Sequence, residues 1–144
     1  MFYAISGING DYEAYKRALK KLKFQNLDDI KEEDIMNEEA VISTLEGEDV
    51  LYVLGNIIGA GGGSMKILQD MMSRDNVIAV VGENEYKITQ ALKALNDHIQ
   101  STGEVPPQML VDKITSMLGE ELSGAVEEFL QLDDEEREDV IEYI

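Results

Sequence analysis

Residues 50–82, VLYVLGNIIGAGGGSMKILQDMMSRDNVIAVVG, decide the fold. The stretch opens on five apolar or aromatic residues, Val50–Leu54, and closes on five more, Val77–Val81. Each run stops at a glycine, Gly55 and Gly82. Short runs rich in β-branched residues and bounded by turn formers read as strands. Between them the glycine-rich loop Gly59–Ser64 leads into a short helix over Met65–Met72. Strand, loop, helix and strand in that order make a βαβ unit with parallel strands.

The same pattern extends outward. Phe2–Ser6 is an apolar run ending at Gly7 and reads as a buried strand. Asp11–Lys23 follows with Tyr12, Tyr15, Ala18, Leu19 and Leu22 at helical spacing. Residues 25–49 are acidic and weakly periodic, and read as an insert of one irregular helix and loops that Gly47 stops. A long helix is expected from about Glu85 to Gln100. Beyond Gly103, Pro106-Pro107 begins a helix that Gly119 ends, and two more follow near Glu120–Leu130 and Asp133–Tyr143. Early acids in the last of these, Asp133 to Glu136, suit a helix N-terminus. The predicted fold is α/β: a small parallel β-sheet flanked by helices, covered on both faces, with a helical C-terminal part. One domain, 1–144, is expected, with a βαβαβα core over 1–100 and a helical segment over 104–144.

Composition narrows the function. The 144 residues are 44% hydrophobic, as a folded domain requires. There is no cysteine, which excludes disulfides, thiolate metal sites and cysteine nucleophiles. No apolar run is long enough for a membrane helix. The start, MFYAISGING, lacks the basic-then-apolar pattern of a secretory signal, so a cytoplasmic protein is expected. Thirty acids against twelve bases give a formal charge of -18. That charge disfavours direct contact with nucleic acid, whose phosphates need Lys and Arg, and favours a basic protein partner.

Ligands of parallel sheets sit at the carboxyl ends of the strands, here Gly7–Gly10, Gly55–Ser64 and Gly82–Glu85. The sequence at these ends resembles the metallophosphoesterase superfamily, more closely its bacterial and phage protein-phosphatase-like branch. The family pattern is a strand with Asp-x-His-Gly, then Gly-Asp-x-x-Asp-Arg-Gly, then Gly-Asn-His-Glu. This chain reads ISGING at 5–10, LGNIIGAGGGS at 54–64 and VVGENEY at 80–86. The tail GEELSGAVEEFLQLDDEEREDVIEYI looks like the helical segment of that branch, so the resemblance spans most of the chain outside 25–49.

The resemblance implies half of a metallophosphoesterase fold with a degenerate site. The family's first Asp falls at Gly7 and its His at Asn9. The bridging Asp falls at Asn56, the second-motif Asp at Gly59 and the phosphate-clamping Arg at Ala60. The third-motif Asn and His fall at Glu83 and Asn84. Gly10, Gly55, Gly61, Gly82 and Glu85 keep the pattern. Metal-dependent phosphoesterases need charged or imidazole ligands to make the attacking hydroxide. With those positions replaced, no catalytic residue, metal or cofactor is expected. The family's later half, with further histidine ligands, is not in this sequence.

Each feature also has a plainer reading. Glu83, Asn84 and Glu85 beside Asn9 and Asn56 can hold a hard cation weakly, or can be loop polar groups and helix caps. Gly61, Gly62, Gly63 and Ser64 can cradle a phosphate or nucleotide at a helix N-terminus, or can form a flexible linker. His98 reads as a surface or structural residue. Met65, Met71, Met72, Met109 and Met117 read as core filling. The acidic runs Asp28–Glu39 and Asp133–Glu142 read as solvated helix faces, or as carboxylates that pair with a partner's Lys and Arg. Half of a two-sheet fold leaves an apolar sheet face, to be covered by the C-terminal helices, a second copy (a homodimer) or a partner. The helices are the expected cover for the monomer, with an exposed patch available for partner binding.

The expected function is therefore a catalytically inactive, phosphatase-like, acidic protein-binding module. One concrete form is an inhibitor of a nucleic-acid-binding protein, such as a phage anti-CRISPR protein that blocks a basic channel. The alternatives are a divergent metal-dependent phosphoesterase, and a nucleotide or phosphate sensor working through Gly59–Ser64.

Overall fold

The computed structural model describes residues 1–24 and 49–144. The three apolar runs pair as a single parallel sheet, in the order β1 (Phe2–Ser6), β2 (Val50–Leu54), β3 (Val77–Val80). Phe2 stands opposite Val50, and Leu51 opposite Val77. Side chains alternate across a strand, so this register defines two faces. Tyr3, Ile5, Leu51, Val53, Val77 and Ala79 share one of them, where Leu51 and Val53 are fully buried. Phe2, Ala4, Tyr52, Leu54, Ile78 and Val80 share the other.

Six helices are seen in the described residues. α1 (Tyr12–Lys21) starts at Asp11, whose carboxylate accepts the Ala14 N–H at 3.0 Å. α2 (Ser64–Met72) links β2 to β3. α3 (Glu83–Thr102) ends where Gly103 turns left-handed, at φ 68°. α4 (Gln108–Leu118), α5 (Glu120–Leu130) and α6 (Asp134–Tyr143) complete the chain. Asp133 and Glu136 cap α6 reciprocally: each carboxylate accepts the other's N–H, at 2.8 and 3.1 Å. α5 packs on α2 and α3, α6 packs on the same pair, and α4 leans on α3 and α5. The core joins Tyr15 and Leu19 of α1, Ile67 and Met71 of α2, Leu92 of α3, Phe129 of α5 and Val140 of α6 to the buried sheet face.

Fold class and helical C-terminal part agree with the sequence reading, and every expected strand and helix in the described residues is present within two residues of its expected ends. Three expectations change. β1 is not a buried strand: it is an edge strand whose Phe2, Ala4 and Ser6 are exposed. Among the described residues the sheet is covered on one face only, because α1, α2 and the C-terminal helices all build on the Leu51–Val53 side. The expected cover of the second face by the C-terminal helices therefore fails; Phe2 is 73% exposed there, Leu54 45%, Val80 42% and Ile78 40%. Met65 and Met71 do fill core, but Met109 and Met117 project from α4 into solvent. The expected insert lies outside the described residues except Asp49, whose carboxylate holds the Met1 ammonium at 3.0 Å. No helix of the described residues is long and apolar enough to cross a membrane.

Candidate functional site

The carboxyl ends of the strands bring three loops together by backbone contacts. Asn9 and Asn56 both have positive φ, 51° and 46°, a conformation asparagine tolerates better than most residues. These turns let the Asn9 N–H donate to the Asn56 carbonyl and the Gly10 N–H to the Ile57 carbonyl, each at 2.7 Å. The glycine-rich loop then folds onto the first. Gly61 N–H donates to Asn9 O at 2.9 Å, and Gly63 N–H to Gly10 O at 2.8 Å. A Cβ on Gly61 would lie 2.5 Å from the Asp11 nitrogen, so the chain approaches too closely for a side chain. Glycine here is required by loop-on-loop packing, and the segment is a hydrogen-bonded layer, which replaces the flexible linker expected as its plain reading.

Two carboxylates complete this layer from inside. Glu85, 3% exposed, lies in the first turn of α3. Its Oε2 accepts from the N–H groups of Gly82 at 3.0 Å and Asn56 at 3.1 Å. Its Oε1 accepts from Ile58 at 2.8 Å and from Ile57. One side chain thus satisfies four backbone donors and ties β2 to the start of α3. Glu128 of α5 makes a weaker tie to α2: its Oε1 accepts from the Met65 N–H at 3.4 Å, at the positive end of that helix, while its Oε2 has no hydrogen-bond partner among the described residues. Burial pushes the Glu128 carboxyl above the usual range, opposed by backbone donors at Met65 and Ser64 and by Lys66.

The positions singled out by sequence meet through their backbones, while their side chains go to separate partners. Gly7 has no side chain and is exposed, and a Cβ there would meet nothing within 4 Å. The Asn9 amide donates to the Gly7 carbonyl at 3.3 Å. Asn84 donates to Ile58 O at 3.1 Å. Glu83 faces solvent and pairs with Lys87 at 2.6 Å, a contact that lowers its pKa through the hydrogen bond and the lysine charge. Glu85 turns inward. Ala60 and Gly62 are exposed, Gly59 is buried, and the buried Ser64 hydroxyl bonds Gly59, accepting its N–H at 3.2 Å. Among the described residues, the outward groups of the strand ends are the Asn9 and Asn56 amides, backbone groups and the Glu83 carboxylate, which is paired with Lys87. Among the described residues no three His, Asp or Glu side chains gather as a metal would require.

Two arrangements were not read from the sequence. For Glu85 the plain reading as a helix cap holds, while its reach to the Asn56, Ile57 and Ile58 N–H groups was not read. Glu128 had no signal, because it reaches α2 from 63 residues away. The other is a buried polar cluster below the sheet: Tyr15 OH donates to Asp70 at 2.5 Å, and Arg74 Nε donates to the same carboxylate at 2.8 Å. Burial, then the Asp70 charge, drives the Tyr15 hydroxyl far above its ordinary pKa, so it stays protonated and serves as a fixed donor.

Comparison of the chain with protein-family models, with curated proteins and with solved structures found no match.

Proposed function

We propose that this chain is a non-catalytic, acidic protein-binding module on a metallophosphoesterase-like half-scaffold, and that it inhibits a basic, nucleic-acid-binding partner by occlusion. The observation that carries the non-catalytic part is Glu85. It is the one acid of the resembling motifs that keeps its place, and its two oxygens are taken up by four backbone donors. A carboxylate so engaged has little capacity left for a metal. Asn9 and Asn56 add amides, which cannot replace the missing negative charge.

Charge supports the partner's chemistry. Residues 104–144 hold 13 acids and 2 bases, so they carry -11 of the -18 total. On α5 and α6, Glu121, Glu127, Asp134, Glu135, Glu138 and Asp139 are exposed. Such a surface competes with nucleic acid for Lys- and Arg-rich grooves. The phosphate-sensor alternative is weakened because α2's N-terminus already holds Glu128 and the loop's Gly59, Gly61 and Gly63 donors are already bonded.

The test has two arms. Hydrolysis of p-nitrophenyl phosphate with manganese should stay at background; turnover that Asn56→Ala or Glu83→Ala abolishes would return the chain to the phosphoesterases. Proteins captured on the immobilised chain from its native host should include a nucleic-acid-binding protein, and the free chain should displace nucleic acid from it, less effectively as salt rises. If the captured protein keeps its nucleic acid at saturating chain, occlusion is wrong.

A further inference from the structure

We propose that the sheet face left open by the described residues is a self-association surface, on which a second copy of this chain packs sheet against sheet. The inference goes beyond the partner reading above and does not depend on it. The face is made by Phe2, Ala4, Tyr52, Leu54, Ile78 and Val80, and no strand residue on it is an acid, lysine, arginine or histidine. Its aromatic pair, Phe2 and Tyr52, has ring centroids 6.4 Å apart, and aromatic anchors of this kind dominate interface energies.

The exposure of Phe2 (73%), Leu54 (45%), Val80 (42%) and Ile78 (40%), with smaller shares from Val50 and Tyr52, leaves uncovered an apolar area on the order of 500 Å². That matches the largest apolar patch of a typical monomer, roughly 300–600 Å², and such patches are often functional. Doubled, it gives about 1,000 Å², at the lower limit for a specific interface, so a micromolar dimer is expected.

Three features choose a second copy over another occupant. First, the helices of the described residues build on the opposite side of the sheet, so nothing among those residues obstructs a flat approach. Second, the face offers no charge to complement, so the basic partner that suits the acidic helices gains nothing here; another apolar sheet face fits it best. Third, one patch used by both copies closes a two-fold dimer without leaving a further patch exposed, and twisted sheets stack stably with strands about 30° apart. The product is a four-layer particle with both acidic helical layers outward.

The charge gives the dimer a signature. Each copy carries -18, so association is opposed by repulsion that salt screens. The dimer therefore tightens as salt rises, opposite in sign to binding of a basic partner. The experiment is sedimentation equilibrium of the full chain up to about 1 mM, at roughly 0.05 and 0.5 M NaCl. It is repeated with Leu54→Lys and Ile78→Lys, whose exposed sites keep the fold, as far-UV circular dichroism checks. Each added lysine lowers the net negative charge of the chain, so lost association comes from burying an ammonium in the apolar face and not from greater repulsion between the copies. A salt-tightened dimer that either lysine weakens at least tenfold supports the proposal. It is overturned by a monomer at every concentration and salt, or by a dimer that survives both lysines. Hydrogen exchange adds one more arm: new protection of the β3 edge amides Ala79 and Val81 on dimerisation would show edge pairing and also overturn it.

Discussion

Glu85 is a carboxylate used as mortar. Removing it by Glu85→Ala leaves four N–H groups without their acceptor at the junction of β2 and α3. Hydrogen bonds to a charged group each contribute more than neutral ones, and stranded donors add their desolvation. A loss of about 2–4 kcal/mol is expected in urea unfolding. Glu85→Gln keeps one acceptor oxygen and should lose less than the alanine variant; equal losses would show that the carboxylate's acceptors are not what holds the junction. Glu128 behaves differently. Burial raises its pKa, so the folded chain holds that proton more tightly than the unfolded one. Stability from this group is therefore complete below the ordinary glutamate range and lost as pH rises through the raised value. Glu128→Gln should melt above the parent near pH 8, with the gap closing toward about pH 4. Its partial exposure keeps the effect small. A gap that widens in acid would reverse the assignment.

At the scale of elements, α1 and α2 are joined by the Tyr15–Asp70–Arg74 cluster. Both charged side chains are buried, and Arg74 Nη1 has no hydrogen-bond partner. A buried pair of this kind contributes little as a whole but is expensive to break by halves. Arg74→Leu alone is expected to cost about 3–5 kcal/mol, by leaving Asp70 charged among apolar neighbours. Adding Asp70→Leu should recover much of that in the same urea titration. A double variant worse than the single one would mean that the pair stabilises the helix junction in its own right.

The elements were legible because their signals are local. Val50–Leu54 and Val77–Val81 are apolar runs stopped by glycines, and Tyr15 and Leu19 lie one turn apart on α1. The open face was legible only in part: the half-fold resemblance leaves an apolar face to be covered, but not which residues make it. Continuous apolar strands read as covered on both sides, and nothing in the periodicity says that β1, β2 and β3 step in one direction with their helices stacked on one side. The candidate site was legible as a place and not as an arrangement. Gly7, Asn9, Asn56 and the Gly59–Ser64 loop do meet at the strand ends, but the inward turn of Glu85 depends on how closely three loops approach, which sequence spacing does not encode.

At the scale of the whole molecule, charge acts against compactness. With thirteen acids and two bases over residues 104–144, α5 and α6 repel across their own surfaces. Their caps, such as Asp133 with Glu136, satisfy helix ends without relieving that repulsion. Screening should help: raising NaCl from roughly 0.02 to 0.3 M is expected to lift the melting temperature by a few degrees. Unchanged melting would mean that the acids are spaced widely enough to be independent.

The two inward carboxylates also decide what dissolved ions can do here. Each is a counter-anion carried on a tether, Glu85 at the head of α3 and Glu128 at the head of α2. A phosphate arriving from solution competes with a rival that never diffuses away and acts at an effective concentration of order millimolar or above. Phosphate should accordingly leave the melting temperature where chloride of matched ionic strength puts it. The molecule carries its own anions at the two helix heads where a dissolved one would otherwise settle.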